Sequence, residues 1–158
     1  MKALIVYDSV FGNTEKIANA IGDSLGIEEN AEVLKISDIK LEKLQEIDLL
    51  IIGSPTRAFK PTKAIVDFLI KIPINGLKGV NVAAFDTRVN TDDVNSRMLN
   101  GLVKIFGYAA KPIADKLQKK GGNLIVPPEG FYVKDSEGPL KDGELERAAD
   151  WAKSAINA

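Results

Sequence analysis

Four short, largely apolar runs constrain this chain most: Ala3–Tyr7, Leu49–Ile52, Val80–Phe85 and Leu124–Val126. Runs of this length that do not alternate with polar residues suit strands covered on both faces. Helical patterns lie between them. Ile17, Ala18, Ile21 and Leu25 share one face, as do Ile65, Phe68, Leu69 and Ile72. Ile113, Ala114 and Leu117 mark a helix over about residues 109–120, and Leu145, Ala148, Ala149, Ala152 and Ile156 mark the last. Strand–helix alternation predicts a parallel sheet with helices on both sides. The more polar segment 32–36 belongs at an edge. Right-handed crossovers then favour five strands in the order 2-1-3-4-5, one α/β domain over residues 1–158. Ligands of such sheets bind beyond the carboxyl ends of the strands, beside the switch between strands 1 and 3.

Composition narrows the chemistry. The chain has no cysteine and no histidine, which removes thiol catalysis, disulfides, cysteine zinc sites and the commonest general base. No metal site is expected, and no catalytic side chain. A redox function would need a cofactor. The net charge of −1 and the lack of a long basic stretch argue against nucleic acid as a partner. No run approaches the ~20 apolar residues of a membrane span, and Met1-Lys2 leads straight into a strand rather than a signal peptide. The cytoplasm is the expected compartment, with no membrane partner.

Three loops should meet at the carboxyl edge. The first, Ser9-Val10-Phe11-Gly12-Asn13-Thr14, joins the first strand to a helix. Gly12 allows close backbone approach, and Ser9, Asn13 and Thr14 add polar groups to a turn rich in N–H donors. Capping accounts for one polar residue; the whole cluster points to a phosphate at a helix N-terminus. No Gly-Lys-Ser/Thr follows, so this is not a nucleotide P-loop. The second loop runs from Gly53 to Thr62 and includes Pro55, Thr56, Arg57, Ala58 and Phe59. Phe59 either folds back on the core or stacks on a flat ring, and the neighbouring phosphate loop favours stacking. The third is Asp86-Thr87-Arg88-Val89-Asn90. Its acid, hydroxyl and guanidinium suit the polar edge of a heterocycle; the competing reading is a surface Asp86–Arg88 pair of little energetic weight. Over residues 88–107, Thr91-Asp92-Asp93 is expected to cap a helix carrying Val94, Met98, Leu102 and Ile105, with Gly107 ending it.

With these loops in place the chain resembles a flavodoxin. The resemblance rests on Ser9–Thr14, Gly53-Ser54-Pro55-Thr56 and Asp86-Thr87-Arg88, with a similar tail from Gly130-Phe131-Tyr132-Val133 to Trp151. It implies a flavodoxin-like three-layer sandwich and noncovalent FMN. Ser9, Val10, Phe11, Gly12, Asn13 and Thr14 correspond to the phosphate loop. Pro55, Thr56, Arg57, Ala58 and Phe59 correspond to the loop on one face of the flavin ring. Asp86, Thr87, Arg88 and Asn90 correspond to the loop on its other face and pyrimidine edge. Phe11 stands where the family often has a hydroxyl, the third loop has no aromatic residue, and Thr56–Lys60 has no glycine.

The resemblance implies an electron carrier working between a reductase and an acceptor protein in transient complexes, as a monomer or weak homodimer. The alternative is an FMN-dependent NAD(P)H or quinone oxidoreductase. A receiver domain shares the strand order, but strand 3 ends Ile52-Gly53-Ser54 without an acceptor aspartate. Arg57 and Arg88 are expected near the flavin. A unit charge ~6 Å away at an effective dielectric of ~20 contributes roughly 3 kcal/mol towards an anionic reduced ring.

Overall fold

The apolar runs form the centre of a parallel sheet whose order is β2-β1-β3-β4-β5, with a sixth strand also paired to β4. The computed structural model describes residues 1–26, 30–90 and 97–158. The strands are β1 (Ala3–Tyr7), β2 (Glu32–Lys35), β3 (Leu49–Pro55), β4 (Asn81–Val89), β5 (Asn123–Leu124) and β6 (Glu129–Val133). The helices are α1 (Asn13–Leu25), α2 (Lys63–Lys71), α3 (Arg97–Phe106), α4 (Ala110–Lys119) and α5 (Glu144–Ile156). Short 3₁₀ turns at Ile36–Asp38 and Leu41–Glu46 carry the chain from β2 to β3.

Strand alternation divides the core in two. Leu4, Val6, Leu50, Ile52, Val82 and Ala84 face Ile65, Phe68 and Leu69 of α2 and Ile113 and Leu117 of α4. Ile5, Tyr7, Ile51 and Phe85 face Ile17 and Ile21 of α1 and Ala148 and Ala152 of α5. On this second side Phe85, Phe131 and Trp151 meet edge to face, with ring centroids 6.0 to 6.2 Å apart.

The expected order of the five strands is the one observed, with two local differences. The fifth strand is broken in two. β5 covers only Asn123–Leu124, Ile125 N–H still reaches Val82 O at 3.2 Å, and pairing resumes at Glu129. Pro127-Pro128 supplies no N–H to a ladder, which accounts for the break. β3 and β4 are also longer than expected. Gly53 to Pro55 and Asp86 to Val89 are strand rather than loop, paired Gly53 to Phe85, Ser54 to Asp86 and Pro55 to Thr87. Polar residues here lie in the ladder because their neighbours on both sides satisfy the backbone. Finally, the expected cap Thr91–Asp93 and Val94 lie outside the described residues. α3 ends as expected at Gly107, whose φ is 73° and whose N–H reaches Val103 O at 2.7 Å.

An ionic clamp fixes α5 to β6. Glu144 accepts Tyr132 N–H at 2.7 Å and holds Arg147 through both carboxylate oxygens at 2.9 and 2.7 Å. Arg147 also donates to Gly130 O and lies 3.3 Å from Glu129. Burial alone would push the Glu144 carboxyl up, but Arg147 and the Tyr132 N–H outweigh it and hold the carboxyl below its ordinary 4.5.

Two measurements check this packing. A Cβ on Gly53 would sit 2.0 Å from Phe85 Cζ, so Gly53→Ala should cost about 1–3 kcal/mol in urea unfolding. A depressed carboxyl contributes stability that is complete above its ordinary value and is lost as pH falls through the folded value. Glu144→Gln should therefore lower the urea midpoint at neutral pH, and the deficit should shrink as pH falls below the ordinary 4.5.

Candidate functional site

Among the described residues α1, α2 and α4 begin beside one another at the carboxyl edge of the sheet, each with N–H groups that its own backbone cannot satisfy. At α2 and α4 part of the set is supplied by side chains at or just after the strand ends. At α2, Thr62 N–H donates to Ser54 Oγ at 3.0 Å. At α4, Ala109 N–H donates to Thr56 Oγ1 at 3.1 Å and Ala110 N–H to Asp86 Oδ2 at 2.9 Å. At α1 the N-cap is Gly12, with φ 91°. Gly12 N–H and, more distantly, Glu15 N–H reach Ser9 Oγ at 3.1 and 3.4 Å. The N–H groups of Val10, Phe11, Asn13 and Thr14 bond neither to Ser9 nor to a backbone carbonyl among the described residues. A helix start of this kind offers N–H groups and the positive end of a dipole to an anion, with Glu15 in the first turn offsetting part of that charge.

The α1 start opens into a cleft of about 470 Å³, within the usual range for small-molecule sites. Ser9, Val10, Phe11, Asn13 and Thr14 line one end, and Pro55, Thr56, Arg57 and Ala58 form a wall. Thr87, Arg88 and Val89 come from the end of β4. Thr14 and Thr87 are buried and share a hydroxyl–hydroxyl bond of 2.8 Å, which joins the α1 start to β4. Gly12 belongs to the same turn as a backbone hinge rather than a lining residue.

Asp86, Phe59 and Asn90 are placed differently from Thr87 and Arg88. Asp86 is fully buried and does not line the cleft; its carboxylate is taken up by Arg88 at 2.7 and 2.6 Å and by Ala110 N–H. The pair is neither a surface pair nor a free polar edge, because β4 extends through it between two neighbouring strands. Burial pushes the Asp86 carboxyl above its ordinary 3.8, while Arg88 and the Ala110 N–H oppose the shift. Arg88 packs its guanidinium 3.7 Å from the centre of the Tyr108 ring. The positive charge expected from Arg88 is therefore offset by Asp86, and Arg57 remains at the mouth, 5.5 Å from the Phe11 ring centre. Phe59 and Asn90 are half-buried and are not among the lining residues.

The segment around Phe59 is a two-residue hairpin. Arg57 N–H reaches Lys60 O at 2.8 Å, and Lys60 N–H reaches Arg57 O at 3.0 Å. Ala58 and Phe59 both take positive φ, 47° and 68°. This is the geometry that favours Asn-Gly, so each residue carries strain of about 1–2 kcal/mol.

Sequence reasoning missed the far wall, made by Val133, Ser136 and Glu137. Val133 ends β6, and the turn that bears Ser136 and Glu137 is closed by a bridge between Val133 and Leu140. Asn13 Nδ2 donates to Glu137 O at 3.1 Å and latches the turn to α1. The signal available was Gly130–Val133 itself: an apolar segment after two prolines can resume a broken strand.

A doubly wound parallel sheet with an anion-seeking helix start at its switch point defines a nucleotide-binding α/β protein. The sequence signature of the flavodoxin domain matches residues 4–126, and the chain belongs to that family, which implies FMN as its cofactor. An uncharacterized protein of Methanocaldococcus jannaschii is 41% identical over 126 residues, covering 79% of this chain and 71% of that protein. Oxidised flavodoxin 1 from Bacillus cereus superposes with a TM-score of 0.77 at 20% identity, covering 99% of this chain and 98% of that one. A flavodoxin from the domain Archaea superposes at 0.75 with 24% identity, covering 99% and 97%. These superpositions bear on the fold.

The buried pair is open to test. Asp86→Ala should cost about 3–5 kcal/mol in denaturant unfolding because it strands Arg88, and Asp86→Ala with Arg88→Met should recover much of that loss.

Proposed function

We propose that the chain is an FMN-binding electron carrier of the cytoplasm, passing electrons between protein partners in transient complexes as a monomer or weak homodimer. The observation that carries this reading is the α1 start, where the N–H groups of Val10, Phe11, Asn13 and Thr14, at one end of the cleft, bond neither to Ser9 nor to a backbone carbonyl among the described residues. The flavin, when bound, supplies the electron chemistry.

The chain's own residues bind and orient it. Val10, Phe11, Asn13 and Thr14 would offer backbone N–H groups to the phosphate. Ser9 Oγ already accepts from Gly12 and Glu15, so its own hydrogen is left to donate. The Asn13 amide is committed to Glu137 O, so Asn13 would contribute its backbone rather than its side chain. Pro55–Ala58 and Thr87–Val89 would hold the ring from two sides. Arg57 is the cation left to attract electron density at the mouth, since Asp86 neutralises Arg88.

Calorimetry with FMN and with riboflavin, which lacks the phosphate, tests this reading. FMN should bind at least about tenfold more tightly, as expected for charge-assisted hydrogen bonds of roughly 1.5–3 kcal/mol. Ser9→Ala should weaken FMN and leave riboflavin unchanged. Equal affinity for the two flavins, or no binding of either, would refute the proposal.

A further inference from the structure

The helix layer made by α2 and α4 has a charge unlike that of the rest of the chain. Residues 60–79 and 109–121 hold eight lysines and two aspartates, in a protein whose net charge is −1. Both aspartates are already paired, Asp67 with Lys63 at 2.7 Å and Asp115 with Lys111 at 3.0 Å. Lys60, Lys71, Lys78 and Lys119 are exposed and form no ion pair among the described residues.

An apolar stripe runs through the lysines. Ile65, Phe68 and Leu69 use the inner face of α2, so Val66 and Ile70 point outward, one turn apart. Val66 is 36% exposed, Ile70 59%, and Ile74, in the turn after the helix, 79%. Lys120 at the end of α4 donates to Ile70 O at 3.4 Å, which joins the two helices into one surface beside the stripe. The surface reaches the cleft rim at the start of α2. α2 follows directly on the Arg57–Lys60 hairpin, and Arg57 lines the cleft mouth.

We infer that the α2–α4 face, with Val66, Ile70 and Ile74 at its centre and lysines around them, is a docking surface for an acidic protein partner. The inference rests on the electron-carrier reading. An apolar centre ringed by charge is the anatomy of a transient protein interface, and opposite charge on the partner steers encounter and sets register. The chemistry disfavours other occupants. The face has no arginine for phosphate forks and no exposed aromatic residue for stacking on bases, and its three β-branched residues give little to insert into a lipid layer. Val66, in the first turn of α2, is the part of the stripe nearest the hairpin at the cleft rim, and Ile74 is the farthest from it.

The test uses the whole chain, with and without FMN, and an acidic [2Fe–2S] ferredoxin of plant type as the probe. Amide shifts in NMR titrations should map to α2 and α4, and affinity should fall at least about tenfold between ~20 and ~300 mM NaCl. Lys71→Glu with Lys119→Glu should abolish docking, and Ile70→Asp should weaken it at least about fivefold, the loss expected for one central apolar contact. None of these residues lines the cleft, so FMN affinity should not change. Docking in both forms together with failed FMN binding would sink the cofactor reading and leave the surface standing. The surface is overturned if shifts are absent or map elsewhere, if the variants dock normally, if basic cytochrome c binds the same face, or if anionic vesicles bind it and the ferredoxin does not.

Discussion

A carboxylate and a guanidinium buried at the carboxyl end of β4 decide where the walls of the cleft stand. Asp86 has no solvent exposure, and Arg88 has 16%. A buried carboxylate costs several kcal/mol unless it is fully bonded, so Asp86 must draw partners to itself. It draws Arg88 from its own strand and the first N–H of α4 from outside it. Arg88 in turn lies against the Tyr108 ring and the backbone at Gly130, where a Cβ would come within 2.0 Å of the guanidinium. One pair therefore fixes β4, the α3–α4 corner and β6 relative to one another.

The same pair separates the helix starts by role. Ser54, Thr56 and Asp86 are spent on the N-termini of α2 and α4. At α1 a glycine caps the helix, and the N–H groups of Val10, Phe11, Asn13 and Thr14 bond neither to Ser9 nor to a backbone carbonyl among the described residues. The anion site is made of the donors in this turn that the fold does not use, and these are left for a ligand. The lysine-rich layer of α2 and α4 sits on the other side of the sheet from α1 and α5. Attraction for the cofactor and attraction for a partner are thus carried by different elements.

Much of this was legible from residue order. Unbroken apolar runs could only be buried strands, and their alternation with amphipathic helices left little choice of topology. Ser9–Thr14 announced an anion site because glycine and hydroxyl groups meet there at a strand-to-helix turn. The reading was weaker where polar residues sit in strands. Asp86 and Arg88 looked like loop residues because propensity penalises charge in a strand, yet pairing with β3 and β6 holds Asp86 in β4 and pairing with β6 holds Arg88. Ala58 and Phe59 carry no local sign of positive φ, because the two hydrogen bonds of the hairpin impose it from either side.

The sequence by itself determined the sheet order, the switch point and the loop that opens α1, since each follows from hydrophobic period and turn chemistry within a few residues. Tertiary structure alone decided which polar groups face the cleft and which are consumed inside the fold. It also supplied the far wall at Val133, Ser136 and Glu137, more than a hundred residues from the loop it faces. The physical reason is range. Period and propensity act between near neighbours, whereas the satisfaction of a buried charge or an open N–H depends on whatever the fold brings alongside.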